Sequence, residues 1–276
     1  MYDWFIHKIL KLPLRMRVRY DHCAVTKPEI TVVFLHGIAA SHATWRHMLP
    51  DLAKDKDLSK VRFVTLDLIG FGKSEKPKWF KYDYASYRKT LTKTLRKLKI
   101  TTPLVICGHS MGCLIAMDYA ENGDIIVDQL ILISPPIIRA REAANIQDQI
   151  YSKLYGTLNQ HTDNRAVGAL ATVVDSLSSF EKRSLDTQAF RETMNKIILN
   201  KDNYAMITDL KVPMEIIHGR LDPLVIGANL RAAAKQNPRI HLTESFGGHD
   251  IVGAKAKKTI KIFKETILNW LLRVDF

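Results

Sequence analysis

Residues 104–120 read LVICGHSMGCLIAMDYA, and this stretch decides the fold. Leu104 to Cys107 is a short, continuously apolar run, as expected of a parallel strand covered by helices on both faces. Met111 to Asn122 carries a helical pattern. Between them stands Gly108-His109-Ser110-Met111-Gly112, a GxSxG string. A serine on so tight a strand-to-helix turn needs small neighbours, because its backbone is strained and the flanking chains pass close. Gly108 and Gly112 supply that room and leave the hydroxyl pointing out above the sheet. The plainer alternative is a serine that only caps a helix N-terminus.

The same strand-then-helix alternation extends in both directions. Ile30 to Leu35, Val61 to Leu68, Leu130 to Ile133 and Met214 to Ile217 read as further strands, and Ile240 to Phe246 as a last one. Thr44 to Lys54, Ala85 to Leu98, Ile226 to Lys235 and Lys255 to Leu272 read as helices. Leu12 to Tyr20 alternates apolar and basic residues, the pattern of a half-exposed antiparallel strand at a sheet edge. Alternation of this kind predicts an α/β fold, a doubly wound, mostly parallel sheet. It fails only between about Ile138 and Asp209, which reads helical and holds no convincing strand. The expected organisation is therefore a core domain of residues 1–137 and 210–276 with a helical cap, or lid, at 138–209. Within the cap, Tyr151, Leu154, Tyr155 and Leu158 recur at helical spacing. That face either packs on the core or looks into the cleft, where Leu154 and Leu158 would line an apolar acyl pocket.

Composition narrows the classes. The chain has 276 residues, 46% hydrophobic and 25% charged, which excludes a disordered, collagen-like or coiled-coil protein. Three cysteines, Cys23, Cys107 and Cys113, show no CxxC spacing, so neither a disulfide framework nor a metal site is expected, and the reading is a reducing, cytoplasmic location. The N-terminus interleaves charged and apolar residues and has neither a signal-peptide core nor a run long enough to span a membrane. The net charge of +13 gathers in Lys73 to Lys99 and Lys255 to Lys264. Both stretches read as amphipathic helices with solvated outer faces, and no nucleic-acid motif accompanies them.

A serine nucleophile needs a general base held by a carboxylate. Met214 to Ile217 runs into His218-Gly219-Arg220-Leu221-Asp222, which places Asp222 just past a strand end. The last strand is followed by Gly247-Gly248-His249. Asp222 and His249 are thus expected on loops at the strand edge that carries Ser110. The strand before the cap ends in Ser134-Pro135-Pro136 and offers no competing carboxylate. Two backbone donors would complete the site as an oxyanion hole: Met111 N–H at the helix start, and Ile38 N–H in the loop after Ile30 to Leu35. His36 reads as a brace of that loop rather than a base. Gly72-Lys73-Ser74 ends like a phosphate-binding loop, but Asp67 stands where its first glycine belongs and no helix opens after it.

Taken together, these residues resemble the α/β-hydrolase fold superfamily over nearly the whole chain. His36-Gly37 with Ser41 and Trp45 resembles its HGxxxSxxxW oxyanion segment. Asp67 to Ser74 resembles its DxxGxGxS loop, with Ile69 where many relatives carry proline. The resemblance implies nucleophile Ser110, acid Asp222, base His249 and a helical cap. It also implies hydrolysis of a small-molecule carboxylic ester through an acyl-enzyme, with no cofactor. Relatives with an aspartate nucleophile are disfavoured by Ser110. Carbon–carbon bond hydrolases of ring-cleavage dienoates, which often carry Asn before the serine and Trp after the histidine, stay open as an alternative, although His109 and Asp250 stand there. So does a non-catalytic binding protein on the same fold, docking on a membrane surface through Trp4, Phe5, Ile6 and the basic face.

Overall fold

The computed structural model describes residues 5–9, 14–139, 186–199, 203–253 and 256–274. Seven strands form one sheet: β1 (Arg17–His22), β2 (Ile30–Leu35), β3 (Val61–Asp67), β4 (Leu104–His109), β5 (Gln129–Ile133), β6 (Met214–Gly219) and β7 (Ile240–Ser245). Their order is β1-β3-β2-β4-β5-β6-β7. Every neighbouring pair is parallel except β1 with β3.

The continuous apolar strands are buried on two sides because alternate residues serve two cores. Val33, Leu35, Ile106, Leu132 and Ile216 face one cluster. Val32, Phe34, Cys107, Ile133 and Ile217 face the other. This is the period-two geometry of a strand read on both faces. Helices α2 (Tyr84–Lys97), α3 (Met111–Asn122) and α6 (Gly227–Gln236) cover the first cluster with Leu91, Leu95, Leu114 and Leu230. Helices α1 (Leu49–Lys54) and α7 (Lys257–Val274) cover the second with Leu52, Phe263 and Ile267. There Phe34 stacks on Phe263 at 5.6 Å and meets Trp45 at 4.9 Å. Aromatic pairs of this kind add about 0.5–1.5 kcal/mol beyond the area they bury.

The expected α/β architecture is observed, with three local differences. Edge pairing begins at Arg17, which lies opposite Asp67, the last residue of β3; of the expected strand, residues 12 and 13 lie outside the described residues, and Leu14 to Met16 are not in strand. The expected helix from Thr44 to Lys54 is broken into a 3₁₀ turn, His42–Trp45, and α1. Pro50 has no N–H to donate and is tolerated only in a first helical turn, so α1 restarts around it. Strand β4 continues through Gly108 and His109, so the turn begins at Ser110 itself.

Between β5 and β6, residues 187–198 and 203–209 are helical: α4 (Thr187–Thr193), a π-helical turn at Met194–Ile198 and α5 (Asn203–Asp209). Phe190, Ile197, Met206 and Ile207 join the cluster beneath α3. The side-chain hydroxyls of Tyr87 and Thr193 lie 3.1 Å apart, tying α2 to α4. Tyr151, Leu154, Tyr155 and Leu158 lie outside the described residues. Among the described residues no helix is long and apolar enough to cross a membrane.

Candidate active site

Ser110 occupies the turn between β4 and α3 with φ +52° and ψ −121°, a conformation that side-chain-bearing residues avoid. The sheet holds it there: Ser110 N–H donates to Ile133 O at 2.9 Å. The flanking glycines are required by close approach. A Cβ on Gly108 would stand 2.6 Å from Cys113 N, and one on Gly112 would stand 2.3 Å from Leu35 O. Both contacts are backbone, so neither neighbour can step aside.

Asp222 follows β6 and His249 follows β7, both at the C-terminal edge that carries Ser110. Their loops are stitched together by Arg220 N–H to Ser245 O at 2.8 Å and Leu221 N–H to Gly247 O at 2.9 Å. Asp222 Oδ2 lies 2.8 Å from His249 Nδ1, and both side chains are buried. Asp222 Oδ1 accepts from Leu224 N–H at 2.8 Å. Burial alone would raise the Asp222 carboxyl. The His249 hydrogen bond and charge, with the Leu224 bond, outweigh it and hold the group below the usual carboxylate value. His249 Nε2 is buried and has no hydrogen-bond partner among the described residues. A buried polar atom left unsatisfied is rare and marks a place where a partner is added or a proton moves.

The loop after β2 lies against this turn, since a Cβ added to Gly37 would stand 3.2 Å from Ser110 Cβ. Ala39 at φ +56° turns the chain back, with Ile38 buried between them. His36 braces the loop, its Nε2 accepting from Leu68 N–H at 2.9 Å. The fully buried Asp67 carboxylate accepts from His42 N–H at 2.7 Å and Lys73 N–H at 2.8 Å. It therefore joins the loop after β2 to the loop after β3. Met111, the first residue of α3, sits where helical N–H groups have no acceptor within the helix.

Two residues beside His249 escape a reading by motif. His109 Nε2 and Ser134 Oγ each lie 3.1 Å from His249 O, which fixes His249 through its own main chain. The acceptor is a carbonyl, so both groups donate. Burial, with the charge of His249 beside it, pushes the His109 pKa down to about 3, so this imidazole is neutral. Ser134 has φ +52° at the end of β5. In the sequence its signal is a strand-end position beside β4 that carries no carboxylate. Among the described residues no group of three His, Cys, Asp or Glu is placed to hold a metal ion.

The family model described as alpha/beta hydrolase fold matches residues 30–205, more than half of the chain. The AB hydrolase superfamily protein YisY of Bacillus subtilis is 26% identical over 79% of this chain and 84% of its own length. The probable lysophospholipase BODYGUARD 2 of Arabidopsis thaliana is 33% identical over 40% of this chain, a match spanning 23% of that protein's length. Among solved structures, an esterase from Exiguobacterium antarcticum superposes with TM-score 0.69 at 21% identity, covering 92% of this chain and 94% of its own. MenH from S. aureus superposes with TM-score 0.68 at 18% identity, covering 94% and 99%. Likeness at these identities is likeness of fold. With the strand order, the strained turn and the matched residues in agreement, the chain belongs to the α/β-hydrolase fold family.

Proposed function

We propose that this chain is a serine hydrolase that cleaves carboxylic esters of small to medium acyl groups. The observation that carries the reading is the buried Asp222–His249 pair at 2.8 Å, whose unpartnered Nε2 shares the strand edge with a serine held at φ +52°. In this reading His249 Nε2 removes the Ser110 proton, and Ser110 Oγ attacks the ester carbonyl. Ile38 and Met111 N–H groups hold the oxyanion, and the protonated His249 gives its proton to the leaving alcohol. Water, deprotonated by the same histidine, then releases the acid and frees Ser110. Asp222 orients the imidazole and stabilises its positive charge. Relatives named as an esterase and as probable lysophospholipases support a hydrolytic role. Residues 138–209 act as the cap, with Leu154 and Leu158 lining the acyl pocket. The three free cysteines support a reducing, cytoplasmic setting.

The deciding experiment is labelling with a fluorophosphonate probe, read by peptide mass, alongside turnover of nitrophenyl esters of graded chain length and of a ring-cleavage dienoate. Labelling at Ser110 with ester turnover is expected. Ser110→Ala should lower turnover by about a million-fold in a folded protein. Turnover of the dienoate alone would replace the ester reading with carbon–carbon bond hydrolysis, and absence of labelling would favour a binding protein.

A further inference from the structure

A dense group of cations lies on the flank formed by β1, α2 and the loop after β3. Two cavities open there, of about 530 and 400 Å³. Arg15, Arg17, Lys73 and Lys97 line the larger, and Lys89 and Lys93 the smaller. Lys89, Lys93 and Lys97 follow one another at four-residue spacing and so share one face of α2. Among the described residues none of these six cations has an ion-pair partner.

The acids of the same flank are already engaged. Asp21 pairs with Arg62 at 2.7 Å, Glu75 with His7 at 3.0 Å, and Asp83 caps α2 by accepting from Ser86 N–H at 2.8 Å. Among the described residues the six cations outnumber the three acids of these cavities, Asp21, Glu75 and Asp83, so the flank carries a net positive charge. Burial, with the like charges of Lys89 and Arg15, lowers the Lys93 pKa, as expected where cations crowd without a counter-ion. A cluster held together at this electrostatic cost attracts an external anion.

The shape of the flank narrows what that anion is. The π-helical turn Phe5–Ile9 is pinned beside it, its His7 ring 5.6 Å from Trp79 and its His7 Nε2 on Glu75. Phe5 is 46% exposed and Ile9 52% exposed. Large apolar side chains next to unpaired cations are the combination that docks on a bilayer: the rings and branches enter the interface while lysines and arginines meet lipid phosphates. We propose that this flank is a peripheral docking surface for an anionic lipid bilayer, with Phe5 and Ile9 as apolar contacts and Arg15, Arg17, Lys73, Lys89, Lys93 and Lys97 as the electrostatic ones. Arg17 lies opposite Asp67 at the C-terminal end of β3, so the docked flank brings the strand edge of Ser110 alongside the membrane. The proposal goes beyond the hydrolase reading and does not depend on it.

The test is co-sedimentation of the full chain with phosphatidylcholine vesicles that contain, or lack, 30% phosphatidylglycerol, by design at low and at high salt. Binding to the anionic vesicles alone, weakened at least about tenfold at high salt, is expected, since the Debye length falls from about 10 Å to about 3 Å between 0.1 and 1 M. Each basic residue near the surface contributes about fivefold in affinity, so Lys89→Gln with Lys93→Gln and Lys97→Gln should lower binding at least about fiftyfold. Neutralising Lys235, Arg239 and Lys211 on the far side should leave it unchanged. Phe5→Ser with Ile9→Ser should lower vesicle binding several-fold and leave retention on heparin unaltered. No binding to anionic vesicles, or an equal loss in both triple variants, overturns the proposal. Tight heparin or RNA binding without vesicle binding would reassign the flank to a soluble polyanion.

Discussion

The imidazole of His109 is bonded to the main chain of His249: Nε2–H donates to His249 O at 3.1 Å, with the rings 5.1 Å apart. Ser134 Oγ donates to the same carbonyl from the end of β5. The residue before the proposed nucleophile thus positions the proposed base, and the two cannot drift independently. His109→Leu removes one donor and should lower kcat for ester turnover about ten- to hundredfold, with KM little changed, because small misplacements of reacting groups are costly. His109→Gln keeps a donor and should recover part of the loss. Equal kcat in wild type and His109→Leu would make the bond irrelevant to turnover.

The same imidazole gives stability a pH dependence. His109 is pushed down to about 3 in the fold by burial, against about 6.5 in an unfolded chain. As pH falls, the unfolded chain takes up this proton first. The contribution is complete above about pH 6.5 and is lost as pH falls toward 3, at no more than about 1.4 kcal/mol per pH unit. Urea unfolding at pH 7, 6 and 5 should show a steeper decline for wild type than for His109→Gln. Parallel declines would mean that His109 is protonated in the folded state.

Asp222→Asn keeps the shape and should lower ester turnover about ten-thousandfold, because the amide holds the imidazole in the wrong tautomer. The lowered Asp222 pKa means that its stabilisation is present above the ordinary carboxylate value and is lost as pH falls through its folded value. The stability difference between wild type and Asp222→Asn should therefore stay constant above about pH 5 and shrink below about pH 4. Chevron or equilibrium denaturation at both pH values checks it. If some other carboxylate proves essential and Asp222→Asn is silent, the acid has been misassigned.

Leu154→Ala and Leu158→Ala test the proposed cap as a measure of substrate size. Preference should move toward longer acyl esters, with a stability loss smaller than the roughly 2–5 kcal/mol of a core leucine. A large drop in Tm with an unchanged chain-length profile would place both residues in packing instead.

Much of this was legible because it is written locally. The helix Met111–Asn122 and the central strand follow from their apolar patterns, and the Ser110 turn from its two glycines. The break at Pro50 was legible in principle, since a proline bars continuous helix before it. The grip of Ser134 and His109 on His249 was not, because a side chain bonded to a carbonyl more than a hundred positions away leaves no periodicity or motif. Nor was the basic flank. Lysines 89, 93 and 97 read as one solvated helix face, and only the pairing of β1 with β3 brings Arg15 and Arg17 beside them.

The backbone of Ser110 has a further consequence, for evolution in the laboratory. Its φ of +52° and ψ of −121° cost about 1–3 kcal/mol for a residue with a Cβ, and glycine there would carry almost none of that burden. A library of variants sorted only by survival of heating should therefore accumulate Ser110→Gly. The sturdiest descendants of this chain would then be ones that had discarded the hydroxyl on which the proposed chemistry depends.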